Sequence, residues 1–99
     1  MIVTLLGAKR NVYTDKNTGE LKDYFNIYCS QPLEGDFAMG NEYIDRKQTG
    51  FPTDSFSNHV LGVGSWQEFL QLEPGTRLDL SFMPRGKYFY LDTIRVLED

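Results

Sequence analysis

Hydrophobic and polar residues alternate along much of this chain with the period of two that is typical of β-strands. Segment 21–30, LKDYFNIYCS, is the clearest case. One of its faces carries Leu21, Phe25, Ile27 and Cys29, with Asp23 as a polar exception. Segment 1–14, MIVTLLGAKRNVYT, is rich in Val, Ile, Leu and Thr and also favours a strand. The turn residues DKNTGE separate the two segments, so they are predicted to form a hairpin, with a bulge or bend at Gly7.

A second hairpin is predicted near the end of the chain. In segment 76–82, TRLDLSF, the residues that point one way are Leu78, Leu80 and Phe82. The sequence MPRG then turns the chain into segment 87–96, KYFYLDTIRV, where Phe89 and Leu91 are predicted to face the core. Ile94 and Val96 fall on the opposite face. A bulge near Asp92 or Thr93 would bring both apolar pairs to the same side.

The middle of the chain has a weaker pattern. Strands are expected near 37–44 and 56–63, with a mobile loop, RKQTGFPTD, that exposes Phe51. Segment 65–75, SWQEFLQLEPG, is the one good helix candidate. Its Ser-x-x-Glu start is a capping box, and its Pro-Gly end stops the helix. The residues that form its apolar stripe are Trp66, Phe69 and Leu70.

This order of elements predicts an all-β fold with one short helix. A long first strand with an interior glycine can bend to serve two halves of a barrel. A helix between the third and fourth strands can close its bottom. We therefore expect residues 1–99 to form a single OB-like domain, a five-stranded Greek-key barrel. An SH3-like barrel and an open α+β sheet are the alternatives.

Composition places the chain among ordinary globular proteins. It has 99 residues, of which 40% are hydrophobic, and no apolar run long enough to span a membrane. At the N-terminus the charges follow the apolar residues, which is the reverse of a signal peptide. Cys29 is the single cysteine, so no intramolecular disulfide is expected. These features favour a cytoplasmic protein without a membrane partner.

The charge distribution matters more than the total. The net charge of −4 argues against nucleic-acid binding at first sight. However, residues 23–45 carry five carboxylates and no cation, whereas the first 22 residues have a cationic excess. Because salt screens charges over about 8–10 Å, a basic face on an acidic protein is feasible.

Catalytic and metal-binding motifs are missing from the sequence. His59 is the single histidine, and no second histidine or cysteine supports a zinc site. The serines lie outside any G-x-S-x-G or S-x-x-K motif, and the carboxylates lack EF-hand spacing. We therefore expect a non-enzymatic protein with no cofactor, no catalytic residues and no metal.

Two stretches resemble a known family. DYFNIYC in the second strand and PGTRLDLSF…YLDTIRV at the end are similar to the filamentous-phage single-stranded DNA-binding proteins, and to small OB-type proteins of phages and conjugative elements. The shared features are a Pro-Gly before a long hairpin and a closing hydrophobic-Asp-x-hydrophobic-Arg-hydrophobic motif at 91–96. The resemblance implies a dimeric protein that coats single strands during DNA replication or transfer. The net acidity, the helix and the long middle segment depart from the family pattern.

Aromatic and cationic residues concentrate on the two predicted hairpins. Base stacking and phosphate contacts are what a single-strand binder requires, and in an OB barrel the first and last hairpin loops flank one binding face. The residues predicted to form this face are Lys9, Arg10, Tyr13, Lys16, Lys22, Tyr24 and Tyr28 from the first hairpin, and Arg85, Lys87, Tyr88 and Tyr90 from the last. Arg46 and Lys47 would extend it. The alternative for the tyrosines is cross-strand packing, and for the cations, solvated turns.

The function expected from this face is binding of single-stranded DNA, with RNA as the alternative strand. Tyr and Arg are also enriched at protein interfaces. The second hypothesis is therefore an OB-like protein-interaction module of a replication or conjugation complex.

Overall fold

A computed structural model describes residues 1–44 and 49–97, and it shows a mostly β chain with short helical segments. The strands are β1 Ile2–Thr14, β2 Leu21–Pro32, β3 Asn41–Tyr43, β4 Gly50–Pro52, β5 Val60–Leu61, β6 Arg77–Arg85 and β7 Tyr88–Val96. A 3-10 turn at Thr53–Ser55 and the helix α1, Phe56–His59, lie between β4 and β5, and α2 is Trp66–Phe69. None of these helices is long and apolar enough to cross a membrane.

The seven strands form one mixed sheet in the order β3-β2-β1-β6-β7-β5, with β4 also paired to β2. All pairings are antiparallel except that of β5 with β7. The expected mostly β class is confirmed. The expected five-stranded Greek-key barrel is not confirmed, because the described strands form one open mixed sheet. Segment 50–61 pairs with β2 through β4 and with β7 through β5. The chain turns helical between those two strands, so no continuous ladder links them.

The first hairpin has the predicted extent and the predicted irregularity. β1 and β2 pair from Thr4 opposite Ser30 to Thr14 opposite Leu21, with a register shift between Leu5 and Gly7. Leu6 is the extra residue of this bulge. The shift keeps alternate side chains of both strands on the core side although β1 bends.

The last hairpin contains the second predicted bulge. Ser81 pairs with Thr93 and Phe82 with Leu91, so Asp92 is the extra residue. Leu91 and Ile94 are both buried as a result. The expectation that Phe89 faces the core is wrong. It shares the face of Leu91 but is 57% exposed, because the hairpin extends beyond the core at that point.

The middle segment differs most from expectation. The strand predicted over 37–44 is reduced to β3, and Phe37 stands in a loop. In place of the strand predicted over 56–63 there is α1 followed by the two-residue β5. Phe51, expected to be exposed, is buried with 2% of its surface accessible. Residues 46–48 of the predicted mobile loop lie outside the described residues.

An aromatic cluster explains this rearrangement. Phe25 of β2 contacts three other rings at centroid distances of 5.5–5.7 Å, from Phe51, Phe56 and Phe69. The rings of Phe56 and Phe69 meet it edge to face, the arrangement that aromatic pairs prefer. Burial of these side chains holds β4, α1 and α2 against the sheet and outweighs their weak local propensities.

The capping of α2 is close to the predicted box. The backbone N–H of Glu68 donates to Ser65 Oγ over 3.2 Å. The Glu68 carboxylate accepts from the N–H of Gly64, over 3.0 Å, instead of from Ser65. The helix is a single turn, and of its predicted stripe Phe69 is fully buried, Trp66 is half-buried and Leu70 is exposed.

Candidate nucleic-acid interface

The outer face of the first hairpin carries most of its predicted site residues. Because Phe25, Ile27 and Cys29 of β2 are buried, the alternate residues of this strand point away from the core. The register places Tyr13 opposite Lys22, Asn11 opposite Tyr24 and Lys9 opposite Asn26. The site residues on this outer face are Lys9, Tyr13, Lys22, Tyr24 and Tyr28.

The ring of Tyr24 lies against the backbone of β4. A Cβ atom added to Gly50 would stand 2.5 Å from Tyr24 Cε1, 2.5 Å from Asn26 Oδ1 and 2.7 Å from the Phe25 carbonyl oxygen. Only a glycine allows the strand and the ring to approach so closely. Gly50 therefore fixes where the ring lies.

Tyr90 of the last hairpin lies near enough to the Tyr24 ring to affect its titration. Burial raises the pKa of Tyr24, and the nearby Tyr13 and Tyr90 raise it further. The Arg85 guanidinium lies 5.6 Å from the centroid of the Tyr90 ring. We call the residues of both hairpins that lie around Tyr24 the tyrosine surface: Tyr13, Tyr24 and Tyr90, with Lys22 and Arg85.

The remaining site residues of the last hairpin continue the tyrosine surface toward the tip. Tyr88 pairs with Arg85 and shares the face of Tyr90, two residues further along β7. It is exposed, as is Lys87 in the turn, where Gly86 adopts a positive φ of 61°. A ring and a cation are thus available at the tip for an extended ligand.

A groove of about 770 Å³ runs along one side of the tyrosine surface. Tyr13, Lys22 and Tyr24 line it from the hairpin, and Pro52, Asp54 and Trp66 line it from the opposite side. The last three were not predicted as site residues. Trp66 was assigned to the helix stripe, and no local pattern shows that segment 50–61 folds against β2.

Arg10 does not belong to the tyrosine surface. It lies on the opposite face of the hairpin, where Nε donates to both carboxylate oxygens of Asp23 over 2.8 and 2.9 Å and Nη2 also contacts that carboxylate. Its guanidinium lies 4.8 Å from the Trp66 ring centroid. Thr53 Oγ1 donates to the same carboxylate over 2.8 Å. Arg10 therefore ties together β1, β2, the 3-10 turn and α2.

Lys16, Lys22 and Tyr28 have different surroundings. Lys16 is exposed in a turn that Asp15 orders by accepting from the backbone N–H groups of Asn17 and Thr18. Lys22 forms an exposed ion pair with Glu20 at 3.6 Å. Exposed ion pairs of this kind contribute little to stability and exchange readily.

Tyr28 stacks on Tyr43 of β3 with ring centroids 6.4 Å apart. This is the cross-strand packing considered as the alternative to base stacking. Arg46 and Lys47 lie outside the described residues.

The two side chains with the most reactive chemistry are held in structural roles. His59 Nδ1 lies 2.8 Å from the Asp92 carbonyl oxygen, and its ring stacks on Phe51 with centroids 4.7 Å apart. The Cys29 thiol is buried, and burial raises its pKa to about 12. Within residues 1–44 and 49–97, no group of three or more potential ligand side chains is arranged to hold a metal ion.

Comparisons with protein-family models, with curated protein sequences and with solved structures found no match for this chain.

Proposed function

We propose that this protein binds single-stranded DNA on the tyrosine surface, without catalysis. The observation that carries the proposal is the groove that Tyr13, Lys22 and Tyr24 line. Tyr90, which carries the Arg85 guanidinium over its ring, is near enough to Tyr24 to add to the rise that burial causes in its pKa, so the last hairpin adds a ring and a cation. Bases stack on such rings whatever their sequence, at about 1–3 kcal/mol per base. Lys22 and Arg85 lie beside the rings and are suited to phosphate contacts.

The proposed path of the strand follows the exposed cations. It passes from Lys9 and Lys22 on the first hairpin to Arg85, Tyr88 and Lys87 on the last, with Lys16 at the margin. Arg10 and Tyr28 contribute to the fold around this path, because Asp23 and Tyr43 already engage them. Asp54 in the groove disfavours phosphate and directs the backbone toward the lysines.

The proposal extends to architecture and biological role. An OB-like arrangement is supported by segment 50–61, which pairs with β2 near one end of the sheet order and with β7 near the other. The resemblance noted above suggests a phage or mobile-element protein that acts in DNA replication or transfer in the cytoplasm, and it implies association between copies of the chain. RNA is the alternative ligand, since stacking and phosphate contacts do not by themselves distinguish the two strands.

Titration of oligo-dT against intrinsic fluorescence tests the proposal. Tyr24→Ala and Tyr90→Ala are each expected to weaken binding about 5- to 150-fold, the equivalent of one lost stack. Tyr24→Phe keeps a ring and should retain most of the affinity. Unchanged affinity in both alanine variants would contradict the assigned surface.

The salt dependence tests the phosphate contacts separately. Binding should weaken linearly with log salt, and Lys22→Gln should reduce the slope by about 0.7. Arg95→Gln is the matched control, because Arg95 is an exposed cation on β7 beside a second groove at the β5 end of the sheet. Absence of binding at about 50 mM salt would overturn the proposal and favour the protein-interaction module.

A further inference from the structure

The loop between β2 and β3 presents two apolar side chains to solvent. We call residues 33–40, LEGDFAMG, the acidic loop. Phe37 is 103% exposed and Met39 is 93% exposed relative to an extended reference. The loop is nonetheless held by its backbone: the N–H of Leu33 donates to the Gly40 carbonyl over 2.9 Å, and that of Ala38 to the Gly35 carbonyl over 3.2 Å. An ordered loop that holds Phe and Met in water has the character of a docking element.

The charge of the acidic loop is opposite to that of the tyrosine surface. Glu34 and Asp36 flank Phe37, and Glu42 follows on β3. The whole of 23–45 lacks Lys and Arg, whereas Lys22 and Arg85 lie among the rings of the tyrosine surface. The acidic loop carries apolar side chains between carboxylates, and the tyrosine surface carries aromatic rings between cations. The two are therefore complementary in both charge and apolar character.

The two elements cannot meet within one copy. The acidic loop begins at Leu33, just after the end of β2 and nine residues after Tyr24, which corresponds to about 30 Å of extended chain. Pairing with β1 from Leu21 to Ser30 keeps β2 extended over most of that length. Contact between the acidic loop and the tyrosine surface therefore requires two molecules.

We propose that the acidic loop of one copy docks on the tyrosine surface of a second copy. Phe37 and Met39 pack on the rings of Tyr24 and Tyr90, and Glu34 and Asp36 pair with Lys22 and Arg85. The interface is heterologous, so the copies add head to tail into chains or rings. The loop occupies the place assigned to nucleic acid and competes with it. This competition rests on the proposed function, whereas the self-association does not.

A charge-swap experiment tests the pairing directly. Sedimentation velocity over a concentration series should show reversible, salt-sensitive association of the wild type. A loop-reversed variant, E34K/D36K, and a surface-reversed variant, K22E/R85E, should each be monomeric. Mixed in equal amounts, they should associate again, because the basic surface of the first meets the acidic loop of the second, and the basic loop of the first meets the acidic surface of the second. A monomeric wild type, or a mixture that stays monomeric, would overturn the proposal.

The apolar contact is tested by F37S/M39S, which should also abolish association. Leu61→Ser is the matched control, since Leu61 is an exposed apolar residue on β5 and should leave association intact. Association that survives F37S/M39S would contradict the assigned loop.

Oligo-dT separates this inference from the proposed function. It should dissociate the wild-type assembly, and F37S/M39S should bind it at least as tightly as the wild type does. Self-association without oligo-dT binding would uphold the docking and refute the competition. Oligo-dT binding by a strictly monomeric protein would refute the docking and leave the proposed function intact.

Discussion

Asp23 is the charged side chain on the core face of β2, and its neighbours explain why a carboxylate is tolerated there. It accepts from Arg10 and from Thr53, and the Arg10 hydrogen bond is the main reason that its pKa lies below the usual value. Arg10 in turn covers Trp66. A residue that interrupts the apolar pattern of the strand is thus the centre of a network that joins four elements.

Because the folded-state pKa of Asp23 is lowered, the network contributes stability above the ordinary Asp pKa of about 3.9. That contribution is lost as the pH falls from about 5 through this value to the folded-state pKa. Urea unfolding between about pH 3 and 7 should therefore show a smaller acid-induced loss of stability in Asp23→Asn than in the wild type. Glu73→Gln removes one negative charge from an exposed position outside this network and is the control. An identical pH dependence in all three proteins would contradict the role of Asp23.

Gly50 sets the position of Tyr24, and its substitution has a definite expectation. An added Cβ would meet a backbone carbonyl as well as two side chains. Gly50→Ala should therefore lower the free energy of unfolding by about 1–3 kcal/mol and weaken oligo-dT binding. Gly7→Ala is the control, because nothing lies within 4 Å of an added Cβ at that position. Equal stability of the two variants in urea would contradict the close approach.

Cys29 should be inert in the folded protein. Its thiol is buried and its pKa is raised to about 12, so the reactive thiolate is scarce near neutral pH. Labelling with a thiol reagent at about pH 8 should be very slow in native buffer and rapid in denaturant. Fast labelling of the native protein would show that β2 opens readily or that the thiol is accessible.

At the scale of single elements, α2 depends on its cap more than on its length. A helix of one turn has little intrinsic stability. The Ser65 hydroxyl satisfies the N–H of Glu68, so Ser65→Ala should cost about 1 kcal/mol in urea unfolding. Ser57→Ala is the control, because this serine is exposed within α1 and its loss should stay within about 0.5 kcal/mol. A similar cost for both would mean that the cap contributes nothing.

At the scale of the whole molecule, one aromatic cluster links the sheet to its helices. Phe25 touches rings from β4, α1 and α2, so these elements should unfold together with the sheet. Urea transitions followed by Trp66 fluorescence and by far-UV circular dichroism should therefore coincide. A fluorescence transition at lower urea than the circular dichroism would show that α2 detaches first.

Because of this cluster, the same Phe→Ala substitution should have very different effects on stability at different positions. Phe25→Ala should cost about 3–5 kcal/mol because it opens a cavity among packed rings. Phe89→Ala removes the same atoms from an exposed position on the hairpin tip and should stay within about 0.5 kcal/mol. Comparable losses in the two variants would contradict a single core centred on Phe25.

The sequence by itself determined the two hairpins, both bulges and which residues of β2 face the core. These features depend on neighbours one or two positions away, through the alternation of side chains and the turn residues. It also indicated that tyrosines and cations concentrate on the two hairpins.

Only the tertiary structure decided which of these tyrosines and cations lie together on one surface. The approach of Tyr90 to Tyr24, the capture of Arg10 by Asp23 and the burial of Phe51 all join residues more than ten positions apart. Such contacts follow from sheet curvature and from competition for space in one small core, which no local pattern records. For the same reason the conformation of segment 50–61 was not predicted. It is determined by packing against the ring of Phe25 and not by the local propensities of the segment.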